Sequence, residues 1–434
     1  MENPVDVSLK KLPCFSVFSE HRYTSLLLQI AAYPLLLSFL FTMWPRAWIN
    51  IAVWTSIILV VFSGNWIDVI KKILRNPVSL LALILGALFW VGIFYSIAPM
   101  ASAIDIARKY SWLFYPVILL PVFQAYFSNQ KWQHVAYFLF ICGVLSIAII
   151  SIVDSWFGWN LQSFIINSGK FRFGPSLSFG AFLALQLFGT KGKSRYFKVF
   201  YLMAFIIVTY SIFFILTTRT GYICYYLLAL TYVFQNFSYR SLVYAAVFLF
   251  GLSYFAYIFS LATPPSFKYE MNLLGEAAVE MVQGSLVSSP GDRVVMAVNG
   301  AEIFKSHPVW GYGTGSYGRA YLLMKKKNEL QNKKEFSLGH EQIPFTDVTN
   351  PHNEYTMIAV QLGGVGLLVF LSWLAAMFLK SFQLLNLQRK LAQGLVLVFV
   401  GSCFGGALLY TDERFYFVML SGLFFFSNLN KKGH

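Results

Sequence analysis

Six consecutive residues, Asn350-Pro351-His352-Asn353-Glu354-Tyr355, combine a helix-start signal with an imidazole. Asn350 has the side chain of an N-cap and Pro351 suits the first helical position, so the sequence predicts His352 in the first turn of a helix. The positive end of that helix disfavours an extra proton on the ring, leaving the neutral form a general base needs, and it welcomes an anionic ligand. At 100° per residue, Thr356, Ala359, Gly363 and Gly366 fall within about 40° of His352, a stripe of small residues against which a neighbouring helix can pack closely. A histidine that merely caps the turn fits the same six residues, and spacing alone does not separate the two.

Guanidinium groups supply the second kind of chemistry. Thr217-Thr218-Arg219-Thr220-Gly221 is a short turn between two apolar stretches with no acidic neighbour in sequence. That setting suits a planar cation that recognises phosphate. Arg293 opens an amphipathic stretch, and Arg172 and Lys109 (the latter beside Arg108) are further cations with weaker claims. For each of them, snorkelling to lipid phosphates is the ordinary alternative. Gly313-Thr-Gly-Ser-Tyr-Gly318 spells GxGxxG, but the strand and βαβ frame of a dinucleotide fold are missing; it reads as a tight turn after Pro308-Val-Trp-Gly311. The basic run Lys325-Lys326-Lys327 reads as a solvated face. No Asp-x-Asp, Glu-x-Asp or P-loop occurs, so the expected site uses no metal, no cofactor and no ATP.

The elements that must position these groups follow from composition. Of 434 residues, 57% are hydrophobic and only 12% charged, about half the charged share of a soluble protein. The fold class is an all-α polytopic membrane protein. Apolar runs near the roughly 20 residues a helix needs to cross a bilayer recur throughout. Twelve are read, at 24–44, 47–66, 77–97, 111–127, 135–153, 175–189, 199–217, 219–236, 241–261, 352–378, 392–410 and 414–428. With the N-terminus inside, most lysines and arginines of the short loops, among them Lys10, Lys71, Lys131, Lys193 and Lys431, also lie inside. The net charge of +15 is then mostly a topology signal, and nucleic acid is not an expected partner. The polar, basic first 23 residues show no cleavable signal peptide, so the first span is expected to act as the targeting signal. Cys14, Cys142, Cys224 and Cys403 fall in the inner tail or within spans, where no outward disulfide can form. Three parts result: spans 1–9 over residues 1–261, an outward loop over 262–351, and spans 10–12 over 352–434. Within the loop, 269–283, 292–306 and 316–334 have the spacing of amphipathic helices.

The motifs together resemble the O-antigen ligase (WaaL) branch of the Wzy/O-antigen ligase superfamily, which also contains bacterial O-oligosaccharyltransferases. His352-Asn353, nine residues, then Gly363-Gly-Val-Gly366 is similar to the ligases' His-[Asn/Ser/Gln]-x9-Gly-x2-Gly pattern. Thr218-Arg219-Thr-Gly221 resembles their Ser/Thr-Arg-x-Gly turn, and Arg293 with Pro308-Val-Trp-Gly-Tyr-Gly313 resembles the loop helix and its exit. Ile223 stands where some ligases carry Leu in an Arg-x3-Leu pattern. The resemblance implies a GT-C-like fold with one large periplasmic helical loop between spans 9 and 10, in the bacterial inner membrane with the active site facing the periplasm. It implies metal-independent, inverting transfer of a glycan from undecaprenyl diphosphate to lipid A-core. His352 would serve the acceptor hydroxyl, Arg219 and Arg293 would clamp the diphosphate, and Asn353, Arg172 and Lys109 would support them.

A polysaccharide polymerase or a protein O-oligosaccharyltransferase would share most of these features, and a chain this short without a large extra C-terminal region favours the ligase. A lipid-linked glycan transporter fits less well, because no related halves are evident and the long loop falls late and outside. If the site works without metal, transfer by the purified enzyme survives chelator treatment. Inhibition that added Mg²⁺ reverses contradicts that expectation.

Overall fold

The computed structural model describes residues 15–64, 66–159, 173–216, 218–237, 241–259, 267–283, 289–330 and 350–427. These residues form helices and turns, with no strand among them. In chain order the helices are α1 (Phe15–Leu40), α2 (Arg46–Phe62), α3 (Trp66–Arg75), α4 (Pro77–Val91), α5 (Met100–Tyr110), α6 (Phe114–Ile118), α7 (Leu120–Ala125), α8 (Gln130–Phe157) and α9 (Gly174–Phe188). The second half holds α10 (Arg195–Tyr210), α11 (Arg219–Asn236), α12 (Ser241–Phe259), α13 (Phe267–Gln283), α14 (Ser289–Ser306), α15 (Tyr317–Leu330), α16 (Glu354–Ser381), α17 (Asn386–Cys403) and α18 (Arg414–Phe425).

Four helices are long and apolar enough to cross a membrane unaided: Thr24–Met43, Gln130–Phe157, Arg195–Ile215 and Glu354–Ser381. A fifth crossing results if α3 and α4, bent by 98°, count as one. Arg46–Phe62, Gly174–Phe188, Ala246–Phe259 and Arg414–Phe425 are apolar but shorter. The expected span 111–127 is not one helix. It breaks at Leu119 between α6 and α7, because Pro121 has no N–H to donate and its ring crowds the carbonyl four residues back. Large apolar side chains such as Ile51, Phe248 and Phe250 stand exposed, an arrangement that water penalises and lipid does not. The chain is thus an all-helical membrane protein.

Two short helices form the centre of the bundle. Every residue of α18 is buried, and so is nearly all of α9. Glycines permit the close approaches: a Cβ on Gly394 of α17 would lie 2.4 Å from the Phe182 ring, and one on Gly180 of α9 would lie 2.6 Å from Val144 of α8.

The connection from α14 to α15 is bound into this bundle. Helix α16 is broken at Gly363, which takes φ 65° and ψ −161°. A break inside an apolar helix strands backbone groups that need new partners. The turn around Pro308-Gly311 supplies them. Gly364 and Val365 N–H donate to the carbonyls of Pro308 (2.7 Å) and Val309 (3.2 Å), while Tyr312 and Gly313 N–H donate to Val360 and Gln361 carbonyls at 2.9 Å each. On the other side, Ile97 N–H donates to the Tyr312 carbonyl and Thr314 N–H to the Gly92 carbonyl. Gly311, Gly313 and Gly315 all have left-handed φ, so the GxGxxG segment is a turn wedged between the C-terminal end of α4 and the broken α16.

This geometry corrects the small-residue stripe. Gly363 admits the Val309 carbonyl, which a Cβ there would meet at 2.2 Å, and Thr356 packs on Gly300 of α14. The stripe therefore receives a turn and a helix of the 262–351 segment, and the break at Gly363 ends its angular regularity. Gly363→Ala should lower the melting temperature of detergent-solubilised protein steeply, since the left-handed φ alone costs roughly 1–3 kcal/mol before the collision with Val309. Gly251→Ala, on α12 with nothing within 4 Å of the new methyl, should be tolerated. Equal melting of the two variants would contradict the interlock.

Candidate functional site

Arg219 is the first residue of α11. Thr218 caps that helix by accepting the Gly221 N–H at 3.2 Å, and Ser178 Oγ donates to the Gly221 carbonyl at 2.9 Å. A Cβ on Gly174 would come within 2.7 Å of the Gly221 Cα, so the heads of α9 and α11 touch through two glycines. The chain arrives from α10 through a π-helical turn, Ser211–Ile215, an irregularity common at functional sites. Arg219 is thereby fixed where the head of α11 meets the buried α9.

Arg293 comes from α14, which packs along the head of α16 and against α13. Burial and the neighbouring Arg219 both lower its proton affinity, and Glu270 opposes them. An arginine stays charged through such shifts, so two guanidiniums share a confined space. Glu270, in the first turn of α13, accepts a hydrogen bond from Arg219 Nε in a nearly buried ion pair. The sequence reading left Arg219 without a protein partner. The acid was missed because it lies 51 residues away, brought back by the α12–α13 excursion and by Phe267, whose ring packs on Tyr222 and Phe213 with centroids 4.8 and 5.5 Å away.

His352 lies outside the helix predicted to hold it. Asn353, not Asn350, is the N-cap, accepting the Thr356 N–H at 2.9 Å. Asn350 instead accepts the His352 N–H at 2.9 Å in a local turn. His352 takes a left-handed φ of 50°, a conformation uncommon outside glycine but enriched for histidine. Its backbone is therefore held by Asn350 ahead of the helix, next to the cap that Asn353 supplies. Glu354, fully buried, anchors the same corner: it accepts from Tyr110 Oη at 2.6 Å and from the Leu409 N–H at 3.0 Å. The 404–413 turn is thereby held against the head of α16.

Arg219, Arg293 and His352 line one cavity of about 340 Å³. Thr218, Thr220, Glu270 and Glu413 add polar groups, while Gly405, Gly406 and Ala407 form a small-residue wall. Two guanidiniums and two carboxylates thus face the space. Among the described residues the buried Arg219 Nη1 has no hydrogen-bond acceptor. Lys109 does not line this cavity; it pairs with Asp105 at 2.8 Å and lies 3.9 Å from the Tyr410 ring centroid. Asn353 contributes its cap and no lining surface. Arg172 lies outside the described residues. Among the described residues no three His, Cys, Asp or Glu side chains converge as a metal site would require. Asp412, one of the few acids near this end, pairs with Arg46 at 2.6 Å and lies 3.8 Å from Arg414.

A second cavity, about 410 Å³ and almost wholly apolar, lies farther along the same helices. Its walls include Phe182 and Leu185 of α9, Leu228 and Val233 of α11, and Phe248 of α12. Helix α11 therefore presents polar groups at its head, beside Pro175 at the head of α9, and the two helices share an apolar recess along their lengths.

Residues 202–371, which include Arg219, Arg293 and His352, match the family model described as O-Antigen ligase (Wzy_C). No curated protein matches the chain. A glycosyltransferase-like enzyme acting on a lipid-linked glycan follows at the level of the family. The segment 202–371 is thus an O-antigen ligase (Wzy_C) family region, and it carries all three of the residues that the cavity brings together.

Proposed function

We propose that the protein is an O-antigen ligase that transfers a glycan from undecaprenyl diphosphate to a sugar hydroxyl of lipid A-core at the periplasmic face of the inner membrane. One observation carries the reading: His352, Arg219 and Arg293 line a single cavity. In this reading the acceptor oxygen attacks the anomeric carbon from the face opposite the phosphate. The new C–O bond forms as the sugar–phosphate bond breaks, inverting the centre. His352 orients the acceptor hydroxyl and takes its proton. The bonding electrons leave on the lipid diphosphate, whose growing charge Arg219 and Arg293 stabilise, an interaction stronger in the transition state than before it. The buried and unpartnered Arg219 Nη1 is a donor available to a phosphate oxygen.

The lipid nature of the donor agrees with the second cavity. A polar head held by the heads of α9 and α11, with an apolar recess along the same helices, suits an amphiphile whose isoprenoid tail stays in hydrocarbon. In this reading the described parts of the loop, 267–283 and 289–330, lie on the periplasmic side, where Glu270 and Arg293 line the polar cavity, and both termini lie in the cytoplasm. A polymerase or a protein O-oligosaccharyltransferase would differ in the acceptor presented to the same cavity, so transfer assays with lipid A-core, lipid-linked glycan and Ser/Thr peptide acceptors separate the three.

His352→Ala, at normal membrane levels, should abolish long-chain lipopolysaccharide in lysates; undiminished product removes the role given to this residue. Arg219→Lys should lose most activity, because a planar fork becomes a point charge. Wild-type turnover in that variant would mean that no planar recognition of phosphate occurs there.

A further inference from the structure

The cavity lining contains its own counter-ion. A diphosphate entering the space between Arg219 and Arg293 meets two carboxylates there, Glu270 and Glu413. One of them already occupies the guanidinium that the ligand needs. The side chains of Arg219 and Glu270 are only 12% and 17% exposed, so this is no solvated surface pair. Confining two arginines together without a nearby anion is unfavourable; Glu270 pairs directly with Arg219, and its charge also favours the protonated form of Arg293.

We infer that Glu270 is a positioning residue that stands in for the diphosphate, holding Arg219 and Arg293 in place while the cavity is unloaded and yielding Arg219 to the phosphate oxygens when the donor binds. The inference rests on the diphosphate-binding role proposed above for the two arginines. A carboxylate offers two oxygens, and among the described residues it leaves Arg219 Nη1 without an acceptor. A diphosphate offers more oxygens over a longer span, enough to satisfy Nη1 and reach Arg293. Displacement needs only side-chain rotation. Phe267, one turn earlier, keeps the start of α13 fixed on Tyr222 and Phe213, and a carboxylate in the first turn of a helix is stabilised there by the backbone N–H groups. Because breaking the pair opposes donor and product binding alike, Glu270 weakens both affinities, and its return to Arg219 promotes release of the lipid diphosphate.

The test uses the full-length purified protein and inorganic pyrophosphate, with binding followed by calorimetry. Glu270→Gln should bind pyrophosphate about tenfold more tightly than wild type, the loss of a competing interaction of about 1.4 kcal/mol. In transfer assays, KM for the donor should fall and inhibition by the diphosphate product should strengthen. Glu276→Gln, exposed on the same helix, should leave affinity unchanged, which separates local competition from a general charge effect. In an Arg219→Ala background the gain from Glu270→Gln should disappear. Unchanged or weaker pyrophosphate binding by a Glu270→Gln protein that melts like wild type overturns the inference and makes Glu270 a simple scaffold for Arg219. Should that variant not fold, Glu270→Asp, which keeps the charge but shortens the reach, must still tighten binding by a smaller factor, and no gain has the same consequence. If wild type and both variants all fail to bind pyrophosphate, the diphosphate site itself is wrong and both readings fall.

Discussion

The break in α16 at Gly363 is the constraint on which the arrangement of this end of the molecule depends. An apolar helix cannot leave backbone groups unsatisfied away from water, so the break exists only because the Pro308–Gly313 turn fills it. That turn follows α14 directly, and α16 begins just after His352. The same set of hydrogen bonds thus fixes the helix that carries Arg293 relative to the strained turn that carries His352. Glycine is required on both sides: Gly311 and Gly363 have left-handed φ and lie so close that a Cβ on either would meet the other's backbone nitrogen at 2.6 Å.

A second constraint is electrostatic. Charged groups buried near hydrocarbon are costly unless paired, and this cavity gathers two arginines and two glutamates. Pairing through Glu270 makes the unloaded state tenable, while the unused Arg219 Nη1 leaves capacity for a ligand richer in acceptors. On the proposed reading, stability of the unloaded site and affinity for an anionic substrate are opposed, and the carboxylate of Glu270 sets the balance between them. Glu354, anchored by Tyr110 and Leu409, separately ties the turn that forms the small-residue wall of the cavity to the head of α16.

Much of this was legible in the sequence, for identifiable reasons. Long apolar runs locate helices because a bilayer demands them, and an imidazole and guanidiniums in short turns stand out against such a background. Relations that depend on tertiary approach were not legible. Asn350 and Asn353 are both good caps, and Pro351 favours the first; the second wins in a corner where Glu354 is drawn inward to Tyr110 and Leu409. Gly363 looked like one member of a packing stripe, since a left-handed φ leaves no trace in residue type alone. Glu270 gave no signal at all beside Arg219, because nothing local joins α11 to α13. Pro121, by contrast, did mark the broken span at 111–127 for a reader who weighed proline above hydropathy.

The most direct measurement is a cryo-EM structure of the full-length protein with a polyprenyl diphosphate bound. Diphosphate oxygens within hydrogen-bond distance of both Arg219 and Arg293, Glu270 released from Arg219, and His352 facing the open side of the phosphate ester are the expected result. A lipid diphosphate bound elsewhere, with Arg219 still paired to Glu270, would contradict it.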